Sequence, residues 1–128
     1  MADAAASTSR YIALTTFRRD GSPVTTPVWV VALHGNLYVV TARQTGKARR
    51  LAATGRVRFA PCDMSGRRIL GEWLEGTGRV VQDEARRREA LDALQRKYGW
   101  QLSLAMLLYR LRGSYPDRVV LELTPSRA

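Results

Sequence analysis

Five residues between positions 45 and 50 hold most of the chemistry this sequence can offer: Thr45, Gly46, Lys47, Arg49 and Arg50. They follow LYVVT at residues 37–41, an apolar run that reads as a buried strand. A strand that empties through a glycine turn into a helix N-terminus makes an anion site. Free backbone N–H groups, the positive end of the helix dipole, a hydroxyl and a cation converge on one spot. Such a site usually holds a phosphate, which points to a phosphorylated cofactor. The competing reading is a basic turn leading into a solvated helix start, because short motifs often match by chance. Gly46-Lys47 is followed by Ala48 rather than Ser or Thr, so the Walker pattern fails, and GxGxxG is absent. A phosphate held here belongs to neither a P-loop nucleotide nor a Rossmann dinucleotide.

The other reactive side chains do not assemble into a catalytic set. His34, the single histidine, falls in a turn beside Gly35. Cys62 is alone, which removes a disulfide framework and a cysteine-based metal site, and its place near a strand end suits a small core residue. No HExxH is present, so no protein-held metal is expected. The acids scatter, and Glu72 and Glu75 have opposite parity on one expected strand, so they face apart. If the chain is an enzyme, a bound cofactor carries the reaction. Lys and Arg number 21 against 11 acids, a net charge of +10, which favours an anionic partner. Arg56 and Arg58 share one strand face and are expected to form one groove with Lys47, Arg49 and Arg50. Nucleic acid fits less well: Phe59 is the one aromatic between Tyr38 and Trp73, thin interleaving for a single-strand binder.

The elements that must position these residues follow from the hydrophobic pattern. At 128 residues, 45% hydrophobic and 25% charged, the chain reads as one soluble domain with its own core, residues 1–9 being a flexible leader. No apolar run reaches membrane-spanning length, and the N-terminus lacks a basic start and long apolar stretch, so a cytoplasmic protein is expected. Strands are predicted over residues 11–17, 24–33, 37–41, 56–62, 69–81 and 118–124. Asp20-Gly21 and His34-Gly35 mark hairpin turns. Pro27 cannot donate to a ladder, so its strand lies at an edge or is bulged. Gly71, Gly76 and Gly78 suggest bends or bulges in their strand. A short helix is predicted over 47–53. A longer one is capped by Asp83, with Arg96 and Lys97 in its last turn and Gly99 beyond it. Residues 102–111 read as an apolar second helix. Six strands with a helical excursion before the last describe a small, mainly β (α+β), antiparallel barrel with added α-helices.

The order of parts adds a resemblance. YIALTTFRRDGSPVTTPVWVVALHGNLYVVTARQTGKARRL, then RVRFAPCDMSGR, then GEWLEGTGRVV, resembles the pyridoxamine 5'-phosphate oxidase-like, flavin-reductase-like split β-barrel family. Within it the chain looks most like the small deazaflavin-dependent, coenzyme F420 reductases. The resemblance implies a homodimer with cofactor sites at the subunit interface. It places the cofactor phosphate after the third strand, at Thr41, Thr45, Gly46 and Lys47 with Arg49 or Arg50. It lays the segment around Pro27 and Val28 along the flavin-like ring, and matches Trp73 to a segment reaching the neighbouring subunit's site. Charge alone assigns Arg56 and Arg58 to the cofactor's anionic tail. The activity implied is hydride transfer from reduced F420 to an unsaturated small molecule. FMN is the alternative cofactor, and a non-catalytic flavin carrier the alternative role.

Overall fold

The computed structural model describes residues 6, 8–42, 46–99, 104 and 118–126. Within them the order is β1 (Tyr11–Phe17), β2 (Pro23–Val28), β3 (Val31–Leu33), β4 (Asn36–Ala42), α1 (Gly46–Thr54), β5 (Arg56–Cys62), β6 (Leu74–Val80), α2 (Glu84–Tyr98) and β7 (Arg118–Pro125). The predicted helix over residues 102–111 lies outside the described residues apart from Leu104, as does most of the expected flexible leader.

The strands form one antiparallel sheet in the order β2-β1-β5-β6-β7-β4-β3, curled until edge strand β2 comes back towards β4. This is the half-barrel of the expected split-barrel, α+β class. Strand alternation divides the apolar residues between two cores. Ile12, Leu14, Val28, Leu37, Val39, Phe59, Leu121 and Leu123 fill the inside of the curl. Tyr38 and Val120, from the other face, join Val31, Ala90, Leu94 and Tyr98 under α2. Pro27 lies on an edge strand, where its missing N–H breaks no inner ladder.

Among the described residues, seven strands replace the expected six. The predicted strand over 24–33 breaks at Trp29–Val30 because α2 takes the backbone there. Val30 N–H donates to Tyr98 Oη at 2.8 Å, and Val30 C=O accepts from Lys97 Nζ at 2.7 Å. Neither group is left for a strand partner, and Trp29 stacks on Tyr98 with ring centroids 4.6 Å apart. The predicted strand over 69–81 shrinks to β6. Ile69 makes one isolated bridge to Cys62, and Glu72 lies outside any strand.

Local signals hold elsewhere. His34 and Gly35 both adopt positive φ, 53° and 81°, and close the two-residue turn between β3 and β4. Asp83 accepts from Ala85 N–H at 3.0 Å and Gly99 ends α2 at φ 56°. Gly78 permits close approach rather than a bend. A Cβ there meets Leu51, Val57 and Leu123 at 3.1–3.2 Å, so its absence lets α1 seat its Leu51 against the sheet. That seating fixes the helix that carries Lys47.

Candidate functional site: a cationic cleft at the start of α1

Helix α1 turns Lys47, Arg50 and Leu51 to one side, as residues three and four apart must be. Leu51 is in the inner core and Ala48 packs against it. The same face therefore carries two cations inward. Lys47 is 9% exposed, and Arg50 donates from Nε to Thr16 Oγ1 at 2.5 Å. The guanidinium of Arg50 folds across Gly46, where a Cβ would lie 2.2 Å from Nη1. The first turn of α1 holds no acid. Burial, followed by the neighbouring charge of Arg50, lowers the Lys47 pKa, and no carboxylate of the described residues offsets it. Burial also lowers Arg50, with Arg18 and Arg49 adding repulsion. An open cleft of about 440 Å³ lies over this helix, lined by Arg18, Arg19, Gly46, Arg49, Arg50, Ala52 and Ala53. It is far larger than one phosphate, and no acid of the described residues lines it.

Most of the expected phosphate residues converge here. Gly46, Lys47, Arg49 and Arg50 lie together on the first turns of α1, and Thr45 lies outside the described residues. Thr41 is on β4 opposite Val119, with the inward parity of Leu37 and Val39. Edge strand β2 adds Thr26, whose Oγ1 is buried and has no hydrogen-bond partner among the described residues. Its register puts it on the sheet face that carries Thr16, the partner of Arg50. Thr16, which holds Arg50, faces Val24, and Thr26 is two residues along the same face. An unpaired buried cation and an orphaned buried hydroxyl fit a polar, anionic ligand.

Arg56 and Arg58 do not join that groove. They alternate with the inward-facing Val57 and Phe59, so they project from the opposite face of the sheet. There Arg56 lies over Phe17 at 4.1 Å and Arg58 over Trp73 at 5.0 Å. Both meet Glu75, Arg58 through Nε at 2.8 Å from Oε2. That N–H is not aimed at the carboxylate and finds no other acceptor, so the contact is Coulombic. Pro27 also faces outward, under Gly66, whereas the Val28 side chain is packed in the inner core opposite Ile12. Val28 can offer a ligand only its backbone.

Sequence reasoning missed Arg18, Arg19, Thr16 and Thr26. Arg18-Arg19 reads as a solvated pair beside Asp20-Gly21, and no linear motif connects that turn to residues 46–53. Only the pairing of β1 with its neighbours does.

A second polar cluster has the opposite character. Under α2, Tyr38 Oη donates to Glu122, Arg79 Nε donates to Glu122 Oε1 at 2.7 Å, and Arg86 Nη1 donates to Tyr38 Oη at 3.1 Å. Burial pushes Glu122 up, but the hydrogen bonds from Tyr38 and Arg79 outweigh it and hold the carboxyl below its usual range. Burial, then the bond to Glu122, raises Tyr38.

Fold and cleft together describe a split-barrel protein with a cationic cleft at the helix that follows β4. The pyridoxamine 5'-phosphate oxidase family model matches residues 2–128, and the chain belongs to that family. Solved structures of low identity share the fold. An F420 reductase is 19% identical at TM-score 0.60, over 98% of this chain and 93% of that one. An FAD-binding protein from Mesorhizobium loti is 16% identical at TM-score 0.64, over 96% and 84%. The heme storage protein from Vibrio cholerae is 13% identical at TM-score 0.67, over 94% and 84%. No curated protein matches the sequence.

Proposed function

We propose that the protein is a coenzyme F420-dependent reductase that delivers hydride from the reduced deazaflavin to an unsaturated small molecule. The observation that carries this reading is Lys47, buried beside Arg50 at a helix N-terminus with no acid of the described residues against it. A buried, unpaired charge costs stability, and an external anion is what completes it. The bound deazaflavin supplies a two-electron hydride donor. The chain supplies the rest. Lys47, Arg50 and the first N–H groups of α1 hold the phosphate. Thr41, Thr45 and Gly46 complete its seat, and Thr26 gives a hydroxyl to the same ligand. Strand β2, an edge, offers a row of backbone groups to the ring along Pro27 and Val28. Positioning and fixed dipoles then account for rate, with no acid–base side chain required.

Support for F420 over FMN is the count of cations: one phosphate satisfies Lys47 and Arg50 but leaves the arginines of the cleft unmatched. The partner in this reading is a second copy of the chain in a cytoplasmic homodimer. Met64, Leu70 and Trp73 lie exposed on the segment after β5, the apolar surface such an interface covers. The test is direct. Purified protein is titrated with F420 and with FMN, following fluorescence quenching, and its mass is measured by sedimentation equilibrium. Retention of F420, and oxidation of its reduced form by an unsaturated acceptor that is thereby reduced, supports the reductase. Retention without turnover makes it a carrier, preference for FMN changes the cofactor, and failure to bind either ends the reading.

A further inference from the structure

Resting on the reading of β2 as the edge that carries the flavin-like ring, we infer that Tyr98, the last residue of α2, is a positioning residue for that edge. Its hydroxyl stands where the next rung of the β1–β2 ladder belongs, and so fixes where the edge strand ends.

Ile12 faces Val28, Leu14 faces Thr26 and Thr16 faces Val24. Pro27 and Pro23, in the pairs between, have no N–H to give, so the hydrogen-bonded pairs of this antiparallel ladder are the even-numbered ones. Arg18 N–H donates to Ser22 C=O at 2.9 Å in the same phase. One step past Ile12 and Val28, the next bonded pair is Arg10 with Val30. Yet β1 begins at Tyr11 and β2 ends at Val28, so that pair lies outside the ladder. Tyr98 occupies it instead. Val30 N–H donates to Tyr98 Oη at 2.8 Å, and the same oxygen lies 2.8 Å from Arg10 C=O and from Val30 C=O. A hydroxyl has one proton. Lys97 Nζ already donates to Val30 C=O at 2.7 Å, so the proton of Tyr98 goes to Arg10 C=O. Burial pushes the Tyr98 pKa up to about 12, so that proton is in place at neutral pH. The hydroxyl thus takes both the donor and the acceptor of the missing rung. Lys97 adds a clasp to Ser9 C=O at 2.8 Å, and Trp29 stacks on the Tyr98 ring.

The consequence falls on the ligand edge. Pro27 C=O and Trp29 N–H alternate with the bonded pairs, so they point away from β1, towards the ring of the proposed ligand. A closed rung between Arg10 and Val30 would carry β2 on through Trp29 and draw it off Tyr98. The wedged hydroxyl keeps the edge interrupted after Val28.

The experiment compares ring-bearing ligands with a ringless one. Dissociation constants of FMN and F420, by fluorescence, and of ribitol 5-phosphate, by calorimetry, are measured for the wild type, Tyr98→Phe and Lys47→Ala. Tyr98→Phe keeps the aromatic ring against Trp29 and removes the oxygen. It should weaken whichever of FMN and F420 the wild type binds by about tenfold, the scale of one hydrogen bond, and leave ribitol 5-phosphate unchanged. Lys47→Ala should weaken all that bind. Some stability goes with the hydroxyl, but lost stability alone does not separate ring-bearing from ringless ligands. A crystal structure of Tyr98→Phe should show β2 running on through Trp29. Equal losses for both kinds of ligand, no loss, or an unchanged break in that crystal structure overturns the positioning role and leaves the phosphate seat intact. Should Tyr98→Phe fail to fold, Lys97→Met, which releases Val30 C=O, carries the same comparison. No binding by the wild type, or unchanged affinity of Lys47→Ala for every ligand, overturns the proposed function and this inference with it.

Discussion

Two arginine-rich regions of this molecule use the same side chain for different ends. On the outer faces of the sheet, arginines are answered from within the chain. Arg56 and Arg58 meet Glu75, while Arg79 binds Glu122, which also accepts from Tyr38. At the start of α1, Lys47 and Arg50 are drawn inward and Arg18, Arg19 and Arg49 rim the cleft, with no acid of the described residues lining it. Satisfied charge does structural work, whereas unsatisfied, partly desolvated charge costs stability unless a counter-charge meets it. The contrast teaches that net charge is a poor guide to a site. What marks this one is where the acids are missing.

The sharpest way to break the contrast is at Glu122. Glu122→Leu should cost about 2–3 kcal/mol of stability in urea, since it leaves the buried Tyr38 O–H without its acceptor and removes the Arg79 bond, and should leave phosphate-ligand affinity unchanged. Lys47→Ala should do the reverse. Ligand affinity should fall by about 1.5–3 kcal/mol in calorimetric titration, the worth of a hydrogen bond to a charged group. Unfolding of the free protein should be unchanged or harder, because an unpaired buried charge is gone. Loss of stability in Lys47→Ala without loss of affinity would make the cleft structural like the rest.

The ionisations sharpen the same comparison. Burial, followed by Arg50, lowers the Lys47 pKa, so the charged form fails sooner as pH rises than it does for a solvent lysine. Anion affinity should therefore decline on the alkaline side, and Lys47→Arg should postpone that decline. Tyr98 titrates in the other part of the molecule. Burial pushes its hydroxyl up from 10.0 to about 12, above the unfolded value. Its contribution to stability is thus present below the ordinary tyrosine range and lost as pH rises through about 12. The stability difference between wild type and Tyr98→Phe should shrink across that window. The smallest effect belongs to Arg58→Gln. A partly exposed pair with Glu75 is worth about 0–1 kcal/mol, and ligand affinity should not move. A loss there rivalling that of Lys47→Ala would reunite the two faces.

Much of the frame was legible along the chain because its signals are local. Asp-Gly and His-Gly turns, the Asp83 and Gly99 caps, the apolar run of residues 37–41 and the edge-or-bulge reading of Pro27 each depend on a few neighbouring residues. The Gly46-Lys47 start of α1 was legible for the same reason. What failed involved partners distant in sequence. The predicted strand over 24–33 breaks because Tyr98 and Lys97, nearly seventy residues on, capture the backbone of Val30. Arg56 and Arg58 were grouped with Lys47 by closeness in sequence and separated by strand parity once β5 was packed.

The sequence by itself determined most of the described element types, a strong positive charge and the basic helix start after the third predicted strand, since propensity, capping and composition are properties of short segments. Only the tertiary structure decided which cations remain unanswered. Pairing depends on which face each arginine takes and which acid comes opposite it, and sheet register and helix seating set both.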